Sequence, residues 1–563
     1  MPLPREIIER VERVAEFHRA TKHTYRGVHD AKPPDPAQQT SPYRVFDDRL
    51  KVPLPTTLLD APEPTLSLMT GGLDALPESQ LQFPQDIRTL ASWLFMAYGL
   101  TSRKGMAGGS AGKSGQSAAK WQRSCPSEDD TYPCEIYVAA FAVEGLEPGF
   151  YHYSPREFAL RRLRGAWETL AHIKKGRPDL EFLKTVPAVL LVSTVFCRSS
   201  WKFRKRGYRH ATADAGRLVQ NLVTAGLGLG LRTLVRQVMN ENTMRELIGL
   251  TPESSYGEEE AVQAAVVWAD TAKNPLKPPS PGGSQAGAPS PGQGLLPIPR
   301  KPLAADVMSY GSILAVHHDC VAPGVAVREV RPPLTEMVVL ASDYPTLEFP
   351  IPDPPEGGMA LRKLLLTRTP AERYFRNKVI SREALWTINR AAFRGGSYFP
   401  LFPDGPHAAL VRPLWAINGV AGMDSGIWHY HVKTDKWSLM RQEHSRIELQ
   451  YALLEEPACG EASAVCFMVS HLAHLTHTAG PDLYRLAHLE AGAVGQRIYL
   501  AANALGLGAS NYGGFYDDDV RILLGISNTQ WDVIYAAAVG VVDEPVDGVE
   551  PSTQGGIEGG WMG

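Results

Sequence analysis

A short basic segment, residues 196–216 (FCRSSWKFRKRGYRHATADAG), holds the densest group of residues that could do chemistry. Seven basic residues fall within thirteen positions there, with aromatic residues between them. Cationic groups next to aromatic faces suit a pocket for a planar, anionic ligand. The alternative interpretation is a solvated turn whose charges face water. The residues concerned are Arg198, Lys202, Arg204, Lys205, Arg206, Arg209 and His210, interleaved with Trp201, Phe203 and Tyr208.

Three other segments could bind a ligand through backbone groups or guanidinium forks. Residues 123–138 (RSCPSEDDTYPCEIYV) place a Pro-Ser turn before an apolar strand, which exposes backbone groups and a hydroxyl; a plain loop is the alternative. Arg368 and Arg373 lie in LTRTPAERYFR, and arginine forks match phosphate oxygens. Residues 508–520 (GASNYGGFYDDDV) contain glycines that would let backbone N–H groups approach a ring system.

Other site chemistries have weaker support. Residues 107–114 (AGGSAGKS) resemble a P-loop in letters but follow a helix-like segment, so we predict a flexible loop. His471, His474 and His477 are three apart, but no carboxylate or cysteine completes a ligand set beside them. The serines at 199–200 have no G-x-S-x-G elbow. We therefore predict neither a metal site nor a hydrolase triad.

Composition excludes several function classes. Lys+Arg 57 against Asp+Glu 60 gives a net charge of −3, so no broad basic field points to nucleic acid or to an anionic membrane. No window approaches the roughly 18 apolar residues of a membrane span. The start of the chain does not resemble a signal peptide, and none of the six cysteines forms a C-x-x-C pair. We expect a cytoplasmic protein with reduced thiols.

The elements that must position these residues fall into two halves. At 563 residues the chain exceeds the roughly 250–300 residues at which single cores stop growing. A Pro/Gly/Ser-rich stretch at 273–302 predicts a linker, and the Gly-rich residues 546–563 predict a loose tail. We therefore expect one domain over 1–272 and another over 303–545.

The two halves resemble each other. YRHATADAGRLVQNLVTAGLGLGLRT (208–233) and YRLAHLEAGAVGQRIYLAANALGLGAS (484–510) share Tyr-Arg, Ala-Gly, a glutamine and Gly-Leu-Gly in the same order. A second parallel relates residues 145–163 to 422–440. Two matches in one order indicate a duplicated domain, which can fold as an intramolecular pseudo-dimer.

Each half has the pattern of an α+β domain with a central sheet and flanking helices. Apolar residues at helical spacing predict helices, whereas short apolar runs predict buried strands. The predicted helices cover 86–100, 212–227 and 486–505, and the predicted strands cover 135–143, 188–196, 264–270, 465–471 and 531–540.

Together these motifs resemble the nitroreductase-like flavoproteins, specifically the SagB/ThcOx-type dehydrogenases, whose best-known members are azoline oxidases of ribosomal peptide biosynthesis. The resemblance covers nearly the whole chain and implies two tandem nitroreductase-like domains packed as a pseudo-dimer. The segments that carry it, in order, are FHRATKHTYRG, KVPLP, RSCPSEDDTYPCEIY, WKFRKRGYRHATADAGRLVQNL and YRLAHLEAGAVGQRIYLAANALGLGASNYGGFYDDD.

The resemblance implies FMN at the interface of the two halves. It places Arg368 and Arg373 at the FMN phosphate, and Gly513 and Gly514 where backbone N–H groups meet the ring near N5. Lys202 matches a lysine at the substrate face and is the predicted proton-handling group, since burial near Arg198 and Arg206 would favour its neutral form. Tyr208 is the second predicted catalytic residue. The remaining predicted cofactor-binding residues are Arg123, Pro126, Ser127 and Tyr512.

The retained motifs are complementary between the halves. The first half has the Pro-Ser turn and the lysine segment but no arginine set before residue 100. The second half has the arginines and the loop at Gly513–Phe515, which we call the GGF loop. FPLFPDGPHAAL (399–410) stands in place of the turn. We therefore expect one complete FMN site per chain and a second, decayed site.

Two positions depart from the family motifs. Phe203 replaces a tyrosine, and a positioned acid or base is worth roughly 10²–10⁴-fold in rate. Asp129 replaces a glycine, which adds bulk and charge. The resemblance implies an FMN-dependent dehydrogenase or oxidase that converts azolines to azoles with dioxygen as acceptor. The alternatives are an NAD(P)H-dependent nitro or quinone reductase and a non-catalytic scaffold that binds flavin or a leader peptide.

The expected partners follow from these hypotheses. The substrate would be a small molecule or a peptide, and enzymes of the same biosynthetic pathway, such as a cyclodehydratase, would be partners. Further association into a homo-oligomer is left open.

Overall fold

Two seven-stranded sheets form the framework of the computed structural model, one in each half of the chain. The P-loop-like segment 107–114, residues 273–294 of the predicted linker and the tail 546–563 lie outside the described residues. The structure describes residues 3–46, 48–77, 84–104, 120–166, 168–169, 186–237, 241–250, 260–269, 295–304, 307–321, 346–347, 358–394, 410–442, 444–526 and 531–542.

The first half contains seven of the helices that we number and nine strands. The helices are α1 (Arg5–Ala20), α2 (Tyr25–His29), α3 (Thr65–Gly71), α4 (Ile87–Tyr98), α5 (Phe196–Phe203), α6 (Gly207–Gly228) and α7 (Glu241–Leu247). The strands are β1 (Lys51–Pro53), β2 (Leu100–Lys104), β3 (Lys120–Arg123), β4 (Cys134–Ala140), β5 (Gly149–Ser154), β6 (Ala159–Gly165), β7 (Ala188–Val195), β8 (Arg232–Gln237) and β9 (Glu260–Ala269).

The second half repeats this arrangement. Its helices are α8 (Gly311–Val321), α9 (Leu361–Thr367), α10 (Arg382–Phe393), α11 (Arg446–Ala452), α12 (Pro457–Glu461), α13 (Leu472–Ala479), α14 (Asp482–Ala504) and α15 (Asp517–Leu523). Its strands are β10 (Thr346–Leu347), β11 (Arg412–Ile417), β12 (Gly426–His431), β13 (Lys436–Gln442), β14 (Ala464–Ser470), β15 (Gly508–Tyr512) and β16 (Asp532–Gly540).

The two sheets have the same topology, which confirms the predicted duplication. The strand order is β1-β6-β5-β4-β7-β9-β8 in the first half and β10-β13-β12-β11-β14-β16-β15 in the second. Every neighbouring pair in both sheets is antiparallel. The central strands β4, β7, β14 and β16 are buried along their whole length, because helices or the other half cover both faces. The α+β prediction is therefore confirmed.

The helices α6 and α14 cross at the centre of the molecule and join the two halves. A Cβ on Gly216 would lie 1.9 Å from the backbone oxygen of Leu489, and one on Gly492 would lie 1.9 Å from that of Ala213. Only glycine therefore permits this approach. The repeated Tyr-Arg motifs also meet here, since the rings of the two repeated tyrosines stack in parallel, 6.4 Å apart. The repeat thus forms the predicted pseudo-dimer interface.

The N-terminal helix α1 ties the first half to the second. The ring of His18 lies 3.2 Å from the carboxylate of Asp532, and the ammonium of Lys22 lies 2.9 Å from the same group. Arg13 pairs with Asp319 of α8 at 2.6 Å. Burial lowers the pKa of His18 to about 4, although Asp532 opposes this shift. The motif FHRATKH is therefore an anchor between the halves.

The C-terminal end of the predicted linker 273–302 packs on the first half. Leu295 and Ile298 are buried in the first-half core, and Leu303 packs beside β7. Arg300 pairs with the buried carboxylate of Glu260 at 3.0 Å. These three apolar side chains and one arginine hold the stretch against the first half, although its composition predicts a linker.

A helix that spans a membrane must be long and apolar. Among the parts of the chain that the structure describes, none of the helices has the length and apolar composition that crossing a bilayer requires.

Candidate functional site

The Pro-Ser turn of the first half and the GGF loop of the second half meet directly. The N–H of Gly513 donates to Oε1 of Glu128 at 2.9 Å. The hydroxyl of Ser127 donates to Asp214 of α6 at 2.5 Å, and the N–H of Glu128 points to the same carboxylate at 3.3 Å. Asp214 therefore holds the turn in place, and Pro126 is buried beside it.

The carboxylate of Asp214 is itself tied to the second half through Arg217. Nη1 of Arg217 donates to Asp214 at 3.1 Å and to the hydroxyl of Tyr535 in β16 at 3.3 Å. Burial raises the pKa of Asp214 to about 6, and the charge of Arg217 and the hydroxyl of Ser127 offset only part of that rise. This network places a weakly acidic carboxyl group directly under the turn.

Two arginines of the basic segment fix the GGF loop. Arg206 donates to the backbone oxygen of Gly513 at 2.9 Å and to Asp517 at 2.6 Å, and Arg209 donates to the other oxygen of Asp517 at 3.0 Å. Burial alone would raise the pKa of Asp517, but the two arginines lower it to about 2. Arg206 also stacks on Phe515, 4.8 Å from its ring centre. These arginines hold the loop from behind, and their Nη groups are hydrogen-bonded.

Three buried arginines converge near the turn and retain unused hydrogen-bond donors. Nη1 of Arg123, Nε of Arg217 and Nε of Arg368 have no acceptor among the residues that the structure describes. Arg368 donates to the backbone oxygen of Arg123 at 3.2 Å, which joins the two halves again. All three charges act on the thiol of Cys125, although burial still raises its pKa to about 12. Buried, unpaired N–H groups are costly, so this cluster fits an anionic ligand.

A polar side chain from the second sheet completes the site. Asn511 lies on β15, and both its side-chain nitrogen and its oxygen are buried without a partner within the described ranges. Its oxygen lies 3.1 Å from where a Cβ on Gly495 would stand, beside the ring of Tyr535. We call the set Arg123, Ser127, Glu128, Asp214, Arg217, Arg368, Asn511, Gly513 and Tyr535 the composite site.

Two of the predicted cofactor-binding residues lie away from the composite site. The side chain of Arg373 is 76% exposed and pairs with Glu461 at 2.8 Å, so the predicted arginine pair with Arg368 is not formed. Tyr512 follows Asn511 on β15, where successive side chains point to opposite faces, and its hydroxyl lies with Cys459. The strand geometry therefore presents Asn511, rather than Tyr512, to the composite site.

The structure also corrects the expected surroundings of Lys202. Arg198 is bound to Glu135 at 2.6 Å, and Arg206 is bound within the loop contacts described above. The side chain of Lys202 is 38% exposed, and its ammonium lies 2.8 Å from Asp129. This exposed pair with a carboxylate is the opposite of the buried, cation-rich setting that the sequence predicted.

Asp129, which stands where the motif has glycine, adopts a backbone conformation that favours glycine. Its φ is +50°, a left-handed conformation that aspartate tolerates better than most residues. Its carboxylate faces Lys202, so the substitution adds an ion pair at the rim of the site.

The second predicted catalytic residue, Tyr208, lies in an aromatic core. It is fully buried, its hydroxyl lies 3.3 Å from Nδ1 of His317, and its ring packs on Phe17, Phe196 and Tyr484. Burial raises the pKa of Tyr208 well above its ordinary value. The structure therefore does not bring Tyr208 to the composite site, and it cannot replace the hydroxyl that Phe203 lacks.

Comparison with known proteins identifies the architecture. The sequence profile described as the nitroreductase family matches residues 111–265 and 424–541, one segment in each half. The chain belongs to the nitroreductase family. Proteins of this family are oxidoreductases, and so is this chain.

Two relatives share part of the sequence of this nitroreductase-family chain. A candidate nitroreductase of Methanocaldococcus jannaschii is 29% identical over 169 residues, which is 29% of this chain and 75% of that protein. The microcin B17-processing protein McbC of Escherichia coli is 28% identical over 118 residues, which is 20% of this chain. The second match spans only 43% of McbC.

One solved structure shows the same fold over nearly the full length. A candidate nitroreductase from Anabaena variabilis superposes with a TM-score of 0.70 at 22% identity. The match covers 94% of this chain and 99% of that one. The tandem arrangement of two nitroreductase domains in one chain is therefore shared with a solved structure.

Several residues of the composite site escaped the sequence analysis of this nitroreductase-family protein. Asp214 lies in the D-A-G motif but had no assigned role, and Glu128 is the unassigned residue after the Pro-Ser pair. Arg217 and Asn511 each lie within a quoted motif but had no assigned role. Their side-chain directions depend on tertiary packing, so only the motifs themselves could have drawn attention to them.

The position related to the composite site by the internal symmetry lacks its arginine. Helices α3 and α9 have seven residues each and pair at their starts, and Arg368 directly follows α9. Gly72 directly follows α3. Arg497 of α14 instead donates to the backbone oxygen of Met69 at 3.4 Å. This asymmetry agrees with the expectation of a single complete site.

Proposed function

We propose that this protein is an FMN-dependent dehydrogenase or oxidase of the SagB type, with one FMN in the composite site. The hydrogen bond from Gly513 to Glu128 carries this proposal, because it joins the loop of one half to the turn of the other beside three arginines with unused donors. The resemblance in the sequence motifs assigns the same turn and the same loop to the flavin.

The unused donors fit the charge of FMN. Arg123, Arg217 and Arg368 would hold its anionic groups, and Gly513 would offer its N–H to the ring. Asn511 has both a free donor and a free acceptor within the described part of the site, which suits the polar edge of an isoalloxazine. When bound, the flavin supplies two-electron redox chemistry, whereas the protein supplies orientation and electrostatics.

The proposed substrate is an azoline ring in a modified peptide, with dioxygen as the electron acceptor. The similarity to McbC, a microcin B17-processing protein, supports a peptide substrate and partner enzymes of the same pathway. The exposed Lys202–Asp129 pair would lie at the substrate face, and Lys202 stays a candidate for contacting the substrate there.

A second candidate is an NAD(P)H-dependent reductase of nitro compounds or quinones. Phe203 favours it, because a reductase does not need the hydroxyl that the azoline-oxidase motif carries. The relative from M. jannaschii, a candidate nitroreductase, supports the same alternative.

The visible absorption spectrum of the purified protein, followed by release, identification and counting of the chromophore, tests the proposal. We expect one FMN per chain. Two per chain would contradict the decayed second site, and no flavin even after FMN is added would overturn both enzymatic candidates. Rapid bleaching of the flavin by NAD(P)H would favour the reductase, and azole formation from an azoline peptide would favour the dehydrogenase.

A further inference from the structure

We propose that Glu128 and His210 form an acid–base pair that takes the substrate proton at the composite site, in place of the hydroxyl missing at Phe203. The assignment rests on the proposed function, since it needs a flavin to accept the electrons. Neither residue was a predicted catalytic residue in the sequence analysis, and the structure brings them together from the turn after β3 and from α6.

The geometry of the pair is that of a proton path leading inward from the turn. The side chain of Glu128 is 13% exposed, and that of His210 is 1% exposed. Nδ1 of His210 lies 3.7 Å from Oε1 of Glu128. The ring of His210 stacks on Phe203 with centres 3.9 Å apart and a 14° tilt, so Phe203 orients it.

Both groups retain unused hydrogen-bonding capacity. Among the described residues, Oε2 of Glu128 has no hydrogen-bond donor, and neither ring nitrogen of His210 has a hydrogen-bond partner. Buried polar atoms without partners are uncommon and often mark functional groups. His210 could therefore exchange a proton without breaking an internal hydrogen bond.

The GGF loop couples this pair to the flavin site. Gly513 donates its N–H to Glu128, and a Cβ on Gly513 would lie only 2.7 Å from Nδ1 of His210. If the flavin takes this N–H, as the proposed function implies, the carboxylate of Glu128 loses a donor. Both the flavin ring and the two acid–base groups then lie around one glycine.

That exchange changes the proton affinity of Glu128. Burial alone would raise the pKa of Glu128, but His210 and the N–H of Gly513 hold it below its ordinary value. Loss of the Gly513 hydrogen bond must raise the pKa, because the bond favours the charged form. A base whose pKa rises towards the operating pH is more effective in proton transfer.

The other charged or titratable groups around the pair come from both halves of the chain, and most already have partners. Asp214 and Arg217 on α6 bind each other, and Arg206 before α6 binds Asp517. The groups that face Glu128 or His210 are Asp214, Arg217, Arg206, His23 after α1, Asp517 at the start of α15, Tyr535 on β16 and the Lys202–Asp129 pair.

The proposed step balances as follows. Two C–H bonds of the azoline break and one C=C bond forms. One hydrogen leaves as a proton to the carboxylate of Glu128, which shares it with His210 and, as the more exposed member of the pair, returns it to solvent. The other would leave with its electron pair to the bound flavin, the oxidant, and dioxygen would finally take the two electrons with two protons and become hydrogen peroxide.

The test measures protons exchanged when FMN binds to flavin-free protein. Calorimetric titrations in buffers of different ionisation enthalpy, between pH 5 and 8, give the number of protons taken up. Glu128→Gln keeps an acceptor for Gly513 but cannot titrate, and any proton lost by the FMN phosphate is common to both proteins. We expect wild type to take up more protons than the variant, by up to one, with the difference shrinking as the pH rises.

Turnover supplies the second measurement. We expect Glu128→Gln to bind FMN but to lose roughly 10²–10⁴-fold in kcat, the range for a positioned acid or base. Glu455→Gln, which removes an exposed carboxylate paired with His29, is the control and should match wild type in both measurements.

The outcomes separate this inference from the proposed function. If no FMN binds to wild type, the proposed function fails. If FMN binds but the proton count is the same in wild type and Glu128→Gln, the carboxylate is not coupled to the flavin and the inference fails alone. A proton difference without loss of turnover would also overturn the acid–base assignment.

Discussion

The two arginines of LTRTPAERYFR show how much a side chain's surroundings decide at the residue scale. Both have the same chemistry and lie five positions apart, yet Arg368 is buried with a free Nε in the described site and Arg373 is 76% exposed. A buried guanidinium without an acceptor is costly and is stabilised by an anion, whereas an exposed ion pair contributes little. Of the two, we therefore expect only Arg368 to contribute to binding of the proposed FMN.

This contrast gives a paired prediction. We expect Arg368→Met to weaken FMN binding by roughly 10–100-fold, the loss of one charge-assisted hydrogen bond in a buried site. Arg373→Met should change it by less than about twofold, since exposed pairs contribute little. Fluorescence quenching on titration with FMN measures both. Equal losses in the two variants would show that Arg373 also reaches the cofactor.

Asp214 makes stability depend on pH. Its pKa is about 6 in the folded chain, above the value of about 3.9 for an unfolded aspartate. The unfolded chain therefore releases this proton first, so stability falls as the pH rises from about 4 to about 6 and is level above that. The full effect would be about 3 kcal/mol.

Asp214→Asn removes this dependence. We expect the melting temperature of wild type, relative to the variant, to fall between pH 4 and 6 and to stay constant from pH 7 to 8. Scanning calorimetry of both proteins across this range is the measurement. A difference that is independent of pH would show that Asp214 is already ionised in the folded chain at low pH. The contact with Arg217 does not change the direction of this difference, because its effect is already part of the folded pKa of Asp214.

At the scale of elements, the crossing of α6 and α14 sets the distance between the two halves. Both helices are buried nearly all round, and the small residues at the crossing allow backbone contact. Because α6 carries Asp214 and α14 leads into β15 with Asn511, this crossing fixes the separation of the two sides of the composite site. Ligand binding at the composite site therefore also depends on the packing of these two helices.

Gly216→Ala tests that role. A methyl group 1.9 Å from a backbone oxygen forces the helices apart, and overpacking of this kind costs about 1–3 kcal/mol or more. We expect a melting temperature several degrees lower and weaker FMN binding. Gly165→Ala is the matched control, because nothing lies within 4 Å of a Cβ there. If the melting temperature and FMN binding of Gly216→Ala matched those of wild type, the helices would be farther apart than 1.9 Å implies.

At the scale of the whole molecule, the two halves act as the subunits of a dimer that cannot dissociate. Buried contacts cross between them at α6 and α14, at α1 and β16, and at the turn and the GGF loop. Residues 295–303 also pack on the first half, although nearly all of them lie within the predicted linker. We therefore expect the contacts between the halves, rather than the continuity of the chain, to hold the site together.

A cut in the linker tests this conclusion. A protease site inserted within 273–294 should yield two fragments that co-elute in size-exclusion chromatography and retain FMN. The reason is that the interface and the contact between Arg300 and Glu260 survive the cut. Separation of the fragments with loss of flavin would mean that covalent linkage is required. Intact protein with the same insertion, left uncut, is the control.

The sequence by itself determined the duplicated α+β architecture, because periodicity and repeated motifs are local. Strands β4, β7, β9, β14 and β16 and helices α4, α6 and α14 lie where the patterns predict them. The turn at Pro126–Ser127 and the loop at Gly513–Gly514 were also found, since glycine and proline mark such backbone conformations directly.

Only the tertiary structure decided which side chains share the site. It separated Arg373 from Arg368, buried Tyr208 away from the turn, and paired Lys202 with Asp129. It also brought Glu128, His210, Asp214 and Asn511 together, from three separate places in the chain. The physical reason is that a site at an interface depends on the packing of two halves, and the direction of a side chain across that interface is not encoded in its neighbours in sequence.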